Sequence, residues 1–183
     1  MKQNRSKDSI ELKNMRDDDW DNYINHVISS DEIYVQYGYE PTRELIEQIQ
    51  TRTPGVKYYS IFLKMCGEMI GYVGILPETG EVEVYIFREF RERGYGSQAV
   101  AMVIDAYFNG IITGKKETRV EAETLCGNEA SSRLLEKLGF QRNAAGFRMD
   151  LDKKSGDSQL TALHLYRLEE KNLKKNTRMK ESA

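Results

Sequence analysis

Cysteine is nearly absent from this chain. Cys66 and Cys126 are the two in 183 residues, too few for a disulfide framework, and a chain of this length buries enough core to fold without one. Histidine is equally scarce. His26 and His164 stand in no metal-ligand spacing with the cysteines, so no metal centre is expected. Long apolar runs are missing. Stretches such as residues 70–76 fall far short of the roughly 20 residues that span a bilayer, and residues 1–8 are polar, without the apolar core of a secretory signal. Charge of one sign is missing too: 27 Lys and Arg against 29 Asp and Glu leave a formal net charge of -2, with no bulk attraction for nucleic acid or an anionic membrane. There is no internal repeat and no low-complexity tract. These absences lead us to expect a soluble cytoplasmic protein with neither a nucleic-acid nor a membrane partner. What is present is ordinary globular material, 39% hydrophobic and 31% charged. It reads as a single domain over residues 1–171, followed by a polar, basic tail at 172–183.

Residues 9–15 predict a first strand. Asp17, Asp18 and Asp19 then supply a capping signal for a helix whose buried face is Trp20, Tyr23, Ile24, Val27 and Ile28. A tyrosine-rich link at 34–39 leads through Pro41 to a second helix marked by Leu45, Ile46 and Ile49. Residues 58–64 and 69–75 are rich in β-branched and aromatic residues around a turn at Cys66 and Gly67, and predict an antiparallel hairpin. A strand at 81–87 sets Val82, Val84 and Ile86 on one face and Glu81, Glu83, Tyr85 and Phe87 on the other, one face for core and one for chemistry. Apolar residues at Val100, Val103, Ile104, Tyr107, Phe108 and Ile111 predict a central helix ending by Gly114. A strand at 119–124, a helix opened by Asn128 and stopped by Gly139, and strands at 140–151 and 160–168 complete the chain. This order gives an α/β fold with a mixed, mostly antiparallel central sheet and helices on both faces.

The informative segment is Arg91-Glu92-Arg93-Gly94-Tyr95-Gly96-Ser97-Gln98-Ala99, between a strand and the most periodic helix. Glycine lets backbone turn tightly and approach a ligand, and the first turn of a helix offers unpaired N–H groups and partial positive charge. Such a turn cradles phosphate, and Arg91 and Arg93 add fixed positive charge beside it. Two other readings stand beside this one. The glycines can serve a plain helix start, and the letters also satisfy G-x-G-x-x-A, the fingerprint of a dinucleotide-dependent oxidoreductase. Context weighs against the second: residues 88–93 separate strand from glycines, antiparallel strands come first, and too few parallel strands remain downstream.

Residues 91–96 resemble the R/Q-x-x-G-x-G/A acetyl-CoA signature of the GNAT acyl-CoA acyltransferases. Asn128-Glu129-Ala130-Ser131, with Leu134-Leu135-Glu136-Lys137-Leu138-Gly139-Phe140 after it, resembles that family's N-x-x-S … E-K-L-G-F element. Serine three residues after asparagine is similar to the branch containing the ribosomal-protein N-terminal acetyltransferases. The resemblance is specific over residues 81–140 and elsewhere rests on element order.

The resemblance implies transfer of acetyl from acetyl-CoA, as cosubstrate and without metal, to an amine acceptor, either a small molecule or a protein N-terminus; a homodimer is left open. It implies that Gly94, Tyr95, Gly96, Ser97 and Gln98 wrap the diphosphate with Arg91 and Arg93 nearby, and that Val84 to Phe87, Ile86 among them, offer backbone to pantetheine. Asn128 and Ser131 would lie near the sulfur, or form a helix cap with its third residue. An ammonium has no lone pair, so a base is expected. Glu81 is the first candidate and Glu83 the second, against the plainer reading of two solvated charges. Leu135 stands where many relatives carry a tyrosine acid; Ser131, Tyr85 or solvent are left to protonate the thiolate. Tyr34, Tyr37 and Tyr39 with Asp31, Glu32 and Glu40 form a candidate amine pocket, or simply packing. His164 and Cys126 are secondary candidates. The missing tyrosine also keeps open a CoA-binding module without turnover.

Overall fold

The computed structural model describes residues 9–30, 42–44, 47, 53–151 and 158–173. The tyrosine-rich link, Leu45, Ile46 and Ile49 of the expected second helix, the acidic candidates Asp31, Glu32 and Glu40, and the turn residues 152–157 lie outside them. The described elements are β1 (Ile10–Asn14), α1 (Asp17–Ser29), β2 (Lys57–Leu63), β3 (Met69–Leu76), β4 (Glu81–Ile86), a 3-10 turn (Arg88–Phe90), α2 (Tyr95–Phe108), β5 (Arg119–Leu125), α3 (Glu129–Leu138), β6 (Gln141–Leu151) and β7 (Ser158–Glu169). The strands form one seven-stranded sheet in the order β1-β2-β3-β4-β5-β7-β6. β4 and β5 pair in parallel, which requires the crossover that α2 supplies. The β1–β2, β2–β3, β5–β7 and β6–β7 pairs are antiparallel. The sheet is mixed and mostly antiparallel, as the sequence predicts. The chain forms two compact units, Met1–Ile75 with Val84–Ala99 and Leu76–Glu83 with Val100–Ala183.

In the first unit α1 opens on three aspartates, favourable charge for a helix N-terminus. Asp19 folds back: its carboxylate accepts from the Arg16 backbone N–H at 3.0 Å and from the Arg16 guanidinium at 3.3 Å. One face of the helix, Tyr23, Ile24 and Val27, is fully buried in a cluster with Met69 and Phe87, and Trp20, Tyr72 and Tyr85 pack against it. Burying each of these large side chains contributes about 1.5–3 kcal/mol. Tyr85 meets Tyr23 edge-on at 5.1 Å, and Phe87 stacks on His26 at 3.7 Å. The expected two-faced strand thus changes character along its length: its glutamates are exposed, whereas Tyr85 is half-buried and Phe87 buried under α1. Gly71 sits at φ 146°, and a Cβ there would meet the Tyr85 carbonyl oxygen. Only glycine lets β3 lie so close to β4.

In the second unit α2 buries Val100, Val103, Ile104, Tyr107 and Phe108. It ends earlier than its apolar periodicity predicts. Gly110 adopts φ 76°, its N–H bonds to the Tyr107 carbonyl, and the Ile111 N–H returns to the Ala106 carbonyl, a Schellman stop. Ile111 consequently lies beyond the helix and is 76% exposed. α3 ends the same way at Gly139, φ 98°. β5 alternates strictly: Val120, Ala122 and Thr124 are buried, while Arg119 and Glu123 are exposed and Glu121 is half-buried.

Candidate active site

In the first unit the loop after β4 is held by its own side chains. The Phe87 N–H donates to the Ile70 carbonyl at 2.9 Å, and the Tyr85 carbonyl also faces β3, at Gly71. Strand parity therefore turns the N–H groups of Val84 and Ile86 to the other edge of β4. These are the backbone groups expected to meet pantetheine; the Phe87 N–H is already engaged. The Ile86 carbonyl accepts from Arg91 Nε at 2.8 Å, and the Arg91 guanidinium lies over the Tyr85 ring, 5.4 Å from its centroid. Arg93 lies over Phe90 at 5.6 Å. Both arginines are exposed, so their charge stays at the loop surface while stacking restricts where it can go.

Two residues of positive φ, Glu92 at 61° and Gly94 at 86°, curl the loop into α2. A Cβ on Gly94 would meet nothing within 4 Å, so the loop is open on that side. The Gln98 N–H closes the first helical bond on the Gly94 carbonyl at 3.1 Å; the amides of Gly96 and Ser97 precede that ladder. Gln98 was expected to contribute its backbone amide, yet that group is taken within the helix. Its side-chain Nε2 is instead buried with no hydrogen-bond partner among the described residues. An unsatisfied buried donor is costly unless a ligand completes it. First-turn amides beside an open glycine fit a diphosphate.

In the second unit Glu81 stands directly opposite Glu121 in the β4–β5 register, and Glu123, two residues on, shares that face. Arg167 donates to Glu121 at 2.9 Å and Arg148 to Glu123 at 2.8 Å. The Glu81 carboxylate makes no hydrogen bond or ion pair among the described residues. Although the residue is exposed to solvent, partial desolvation of its carboxylate against the sheet raises its pKa above the ordinary carboxylate value, the charges of Glu123 and then Glu121 raise it further, and Arg148 partly offsets them. A carboxylate displaced upward is a better match for proton abstraction near neutral pH. Glu83 is exposed on the same face. Sequence reading missed Glu121, Glu123, Arg148 and Arg167. The alternation of Arg119-Val120-Glu121-Ala122-Glu123 was a signal for the glutamates, but the arginines that bind them become visible only through strand register.

Also in this unit, Asn128 caps α3: its side-chain carbonyl accepts from the Ser131 N–H at 3.1 Å. The Ser131 hydroxyl is left half-buried with no hydrogen bond among the described residues. His164 is half-buried on β7 opposite Thr124, and Cys126 is exposed. No group of three or more His, Cys, Asp or Glu among the described residues could hold a metal ion. No helix among them is long and apolar enough to cross a membrane.

The mixed sheet, the glycine-bearing strand-to-helix loop and the capped helix after β5 define the GNAT class of acyltransferase fold. Residues 9–141 match the family model described as an acetyltransferase (GNAT) domain, and the chain belongs to that family, whose acyl donor is acetyl-CoA. Among solved structures it is similar to spermidine N-acetyltransferase from Vibrio cholerae in complex with CoA and spermine, with TM-score 0.64 and 12% identity over 90% of this chain and 97% of that one. It is also similar to a GNAT-family acetyltransferase from Bacillus anthracis, with TM-score 0.65 and 17% identity over 88% and 95%. A domain from Methanocaldococcus jannaschii gives TM-score 0.63 and 19% identity over 88% and 98%. At these identities the likeness is one of fold. No curated protein matches the sequence.

Proposed function

We propose that the protein, acting as one domain over residues 1–171, is an N-acetyltransferase that moves acetyl from acetyl-CoA directly onto a primary amine. The observation that carries this reading is Glu81, a carboxylate set opposite Glu121 with no hydrogen bond or ion pair of its own among the described residues, on the strand that leads into the glycine-bearing loop. Acetyl-CoA, as substrate, supplies the acetyl group activated as a thioester. The amides of Gly96 and Ser97 and the Gln98 side chain hold the diphosphate, with Arg91 and Arg93 supplying charge. Glu81 takes the ammonium proton, which frees the nitrogen lone pair, and passes it to solvent; the C–N bond forms as the C–S bond breaks, and the nitrogen then releases its second proton through Glu81 to solvent. The sulfur keeps the electron pair and takes its proton from the Ser131 hydroxyl, which is reprotonated from solvent. A small alkylamine acceptor is supported by likeness to the Vibrio cholerae enzyme, whose structure contains spermine. A protein N-terminus is supported by the Asn128 to Ser131 element.

The test is a mass-spectrometric screen of alkylamines, polyamines and N-terminal peptides with acetyl-CoA. The expected result is a gain of one acetyl group on at least one acceptor class, with kcat/KM lowered about 10²–10⁴-fold in Glu81→Gln. Tight CoA binding without acetylation of any acceptor would overturn the reading in favour of a binding module.

A further inference from the structure

We propose that Glu123 and Arg148 are positioning residues for the acetyl transfer, their ion pair fixing the charge that faces Glu81. This rests on the proposed role of Glu81 and goes beyond it. All the groups involved belong to the second unit. β4 brings Glu81 and Glu83; β5 brings Arg119, Glu121 and Glu123 on the matching face; β7 brings Arg167 and Glu169; β6 brings Arg148. Arg167 lies opposite Glu121 in the β5–β7 register, so their contact is an ordinary neighbouring cross-strand pair.

The Glu123–Arg148 contact is different. Glu123 lies opposite Leu165 of β7 and Arg148 opposite Thr161 of the same strand. The guanidinium therefore reaches across β7 to a strand two spacings away, roughly 10 Å, and along the sheet by the four residues that separate Thr161 from Leu165, to bind Glu123 at 2.8 Å. Sheet pairing does not require such a contact. It holds one carboxylate and one permanently charged guanidinium in fixed geometry on the face that carries Glu81. With Arg167 occupied by Glu121 and Arg148 by Glu123, the negative charge nearest Glu81 is only partly compensated. Glu123 and Arg148 act on Glu81 in opposite senses. The pair thus works as a setting: the glutamate holds the proton on Glu81 more tightly, and the arginine limits that effect.

The experiment is a carboxyl-carbon NMR titration of Glu81 in the full chain, beside a pH–rate profile with any acceptor found. Glu123→Gln removes a negative charge, so the Glu81 midpoint should fall by about half a unit to one unit. Arg148→Gln removes a positive charge, so the midpoint should rise by a similar amount; Arg148→Lys should restore it. The acid limb of kcat/KM should follow in the same directions. A pair that merely stabilises the hairpin would move both variants the same way or not at all, and either result overturns the inference. Opposite shifts in the titration without matching shifts in the rate profile would uphold the charge setting and overturn Glu81 as the base, so the two failures are separable.

Discussion

Arg91 Nε donates to the Ile86 carbonyl at 2.8 Å, tying the glycine-bearing loop back to the end of β4. The arginine of the signature thus braces the loop as well as charging it. Arg91→Met should lose this bond and the stacking over Tyr85, lowering stability by about 1 kcal/mol and weakening CoA binding about 5- to 30-fold. Thermal unfolding and calorimetric titration measure the two effects. A variant that binds CoA as tightly as the parent would show that the brace does not serve the ligand.

Two glycines of similar φ should respond differently. Gly94 at 86° has open space around it, whereas a Cβ on Gly110 at 76° would sit 2.8 Å from the Lys115 carbonyl carbon. Gly94→Ala should cost about 1 kcal/mol of stability from backbone strain alone but reduce CoA affinity at least tenfold, because the added methyl enters the space left for phosphate. Gly110→Ala should be the more destabilised of the two, with CoA affinity unchanged in the folded fraction. Paired melting curves and binding isotherms distinguish them.

The strands, α2, α3 and the position of the glycine-bearing loop between strand and helix were legible because each has a local cause: alternation, a 3.6-residue period, or a capping residue beside the glycines. Ile111 shows where local reading fails. Its spacing continues the apolar stripe of α2, but the left-handed turn at Gly110 ends the helix first. Tyr85 and Phe87 looked like an open face because nothing in their own segment announces that α1 packs on them. The partners of Glu121 and Glu123 were invisible for the same reason: Arg148 lies 25 residues from Glu123 in sequence and meets it only through pairing of distant strands. The Gln98 amide was misread in a different way. Gln98 lies within α2, and counting from Gly94 places its N–H inside the helical ladder.

Asp19 gives a pH signature of folding. Burial opposes its charged form, but the hydrogen bonds from the Arg16 backbone N–H and the Arg16 guanidinium outweigh that and hold its pKa below the ordinary 3.8. A depressed folded-state pKa contributes stability that is fully present above the unfolded value and lost as the pH falls through the folded one. Asp19→Ala should therefore lower stability at neutral pH by about 1–3 kcal/mol, with the gap from the parent narrowing below about pH 4. Denaturant titrations at pH 7 and pH 3 check this; an equal gap at both would contradict it.

Glu92 holds a left-handed conformation, φ 61°, without being glycine. Glu92→Gly should relieve strain and raise stability by up to about 1 kcal/mol, or leave it unchanged if the flexibility gained by the unfolded chain offsets the relief. A clear loss of stability in a melting curve would show that the glutamate side chain holds the loop.

The central claim, that the start of α2 receives the diphosphate of coenzyme A, is tested most directly by an amide NMR titration of the protein with CoA. The backbone resonances of Gly94, Gly96 and Ser97 and the side-chain amide of Gln98 should shift most, saturating together at one dissociation constant. Saturation with the largest shifts elsewhere, or no shift at any ligand concentration, would contradict the account.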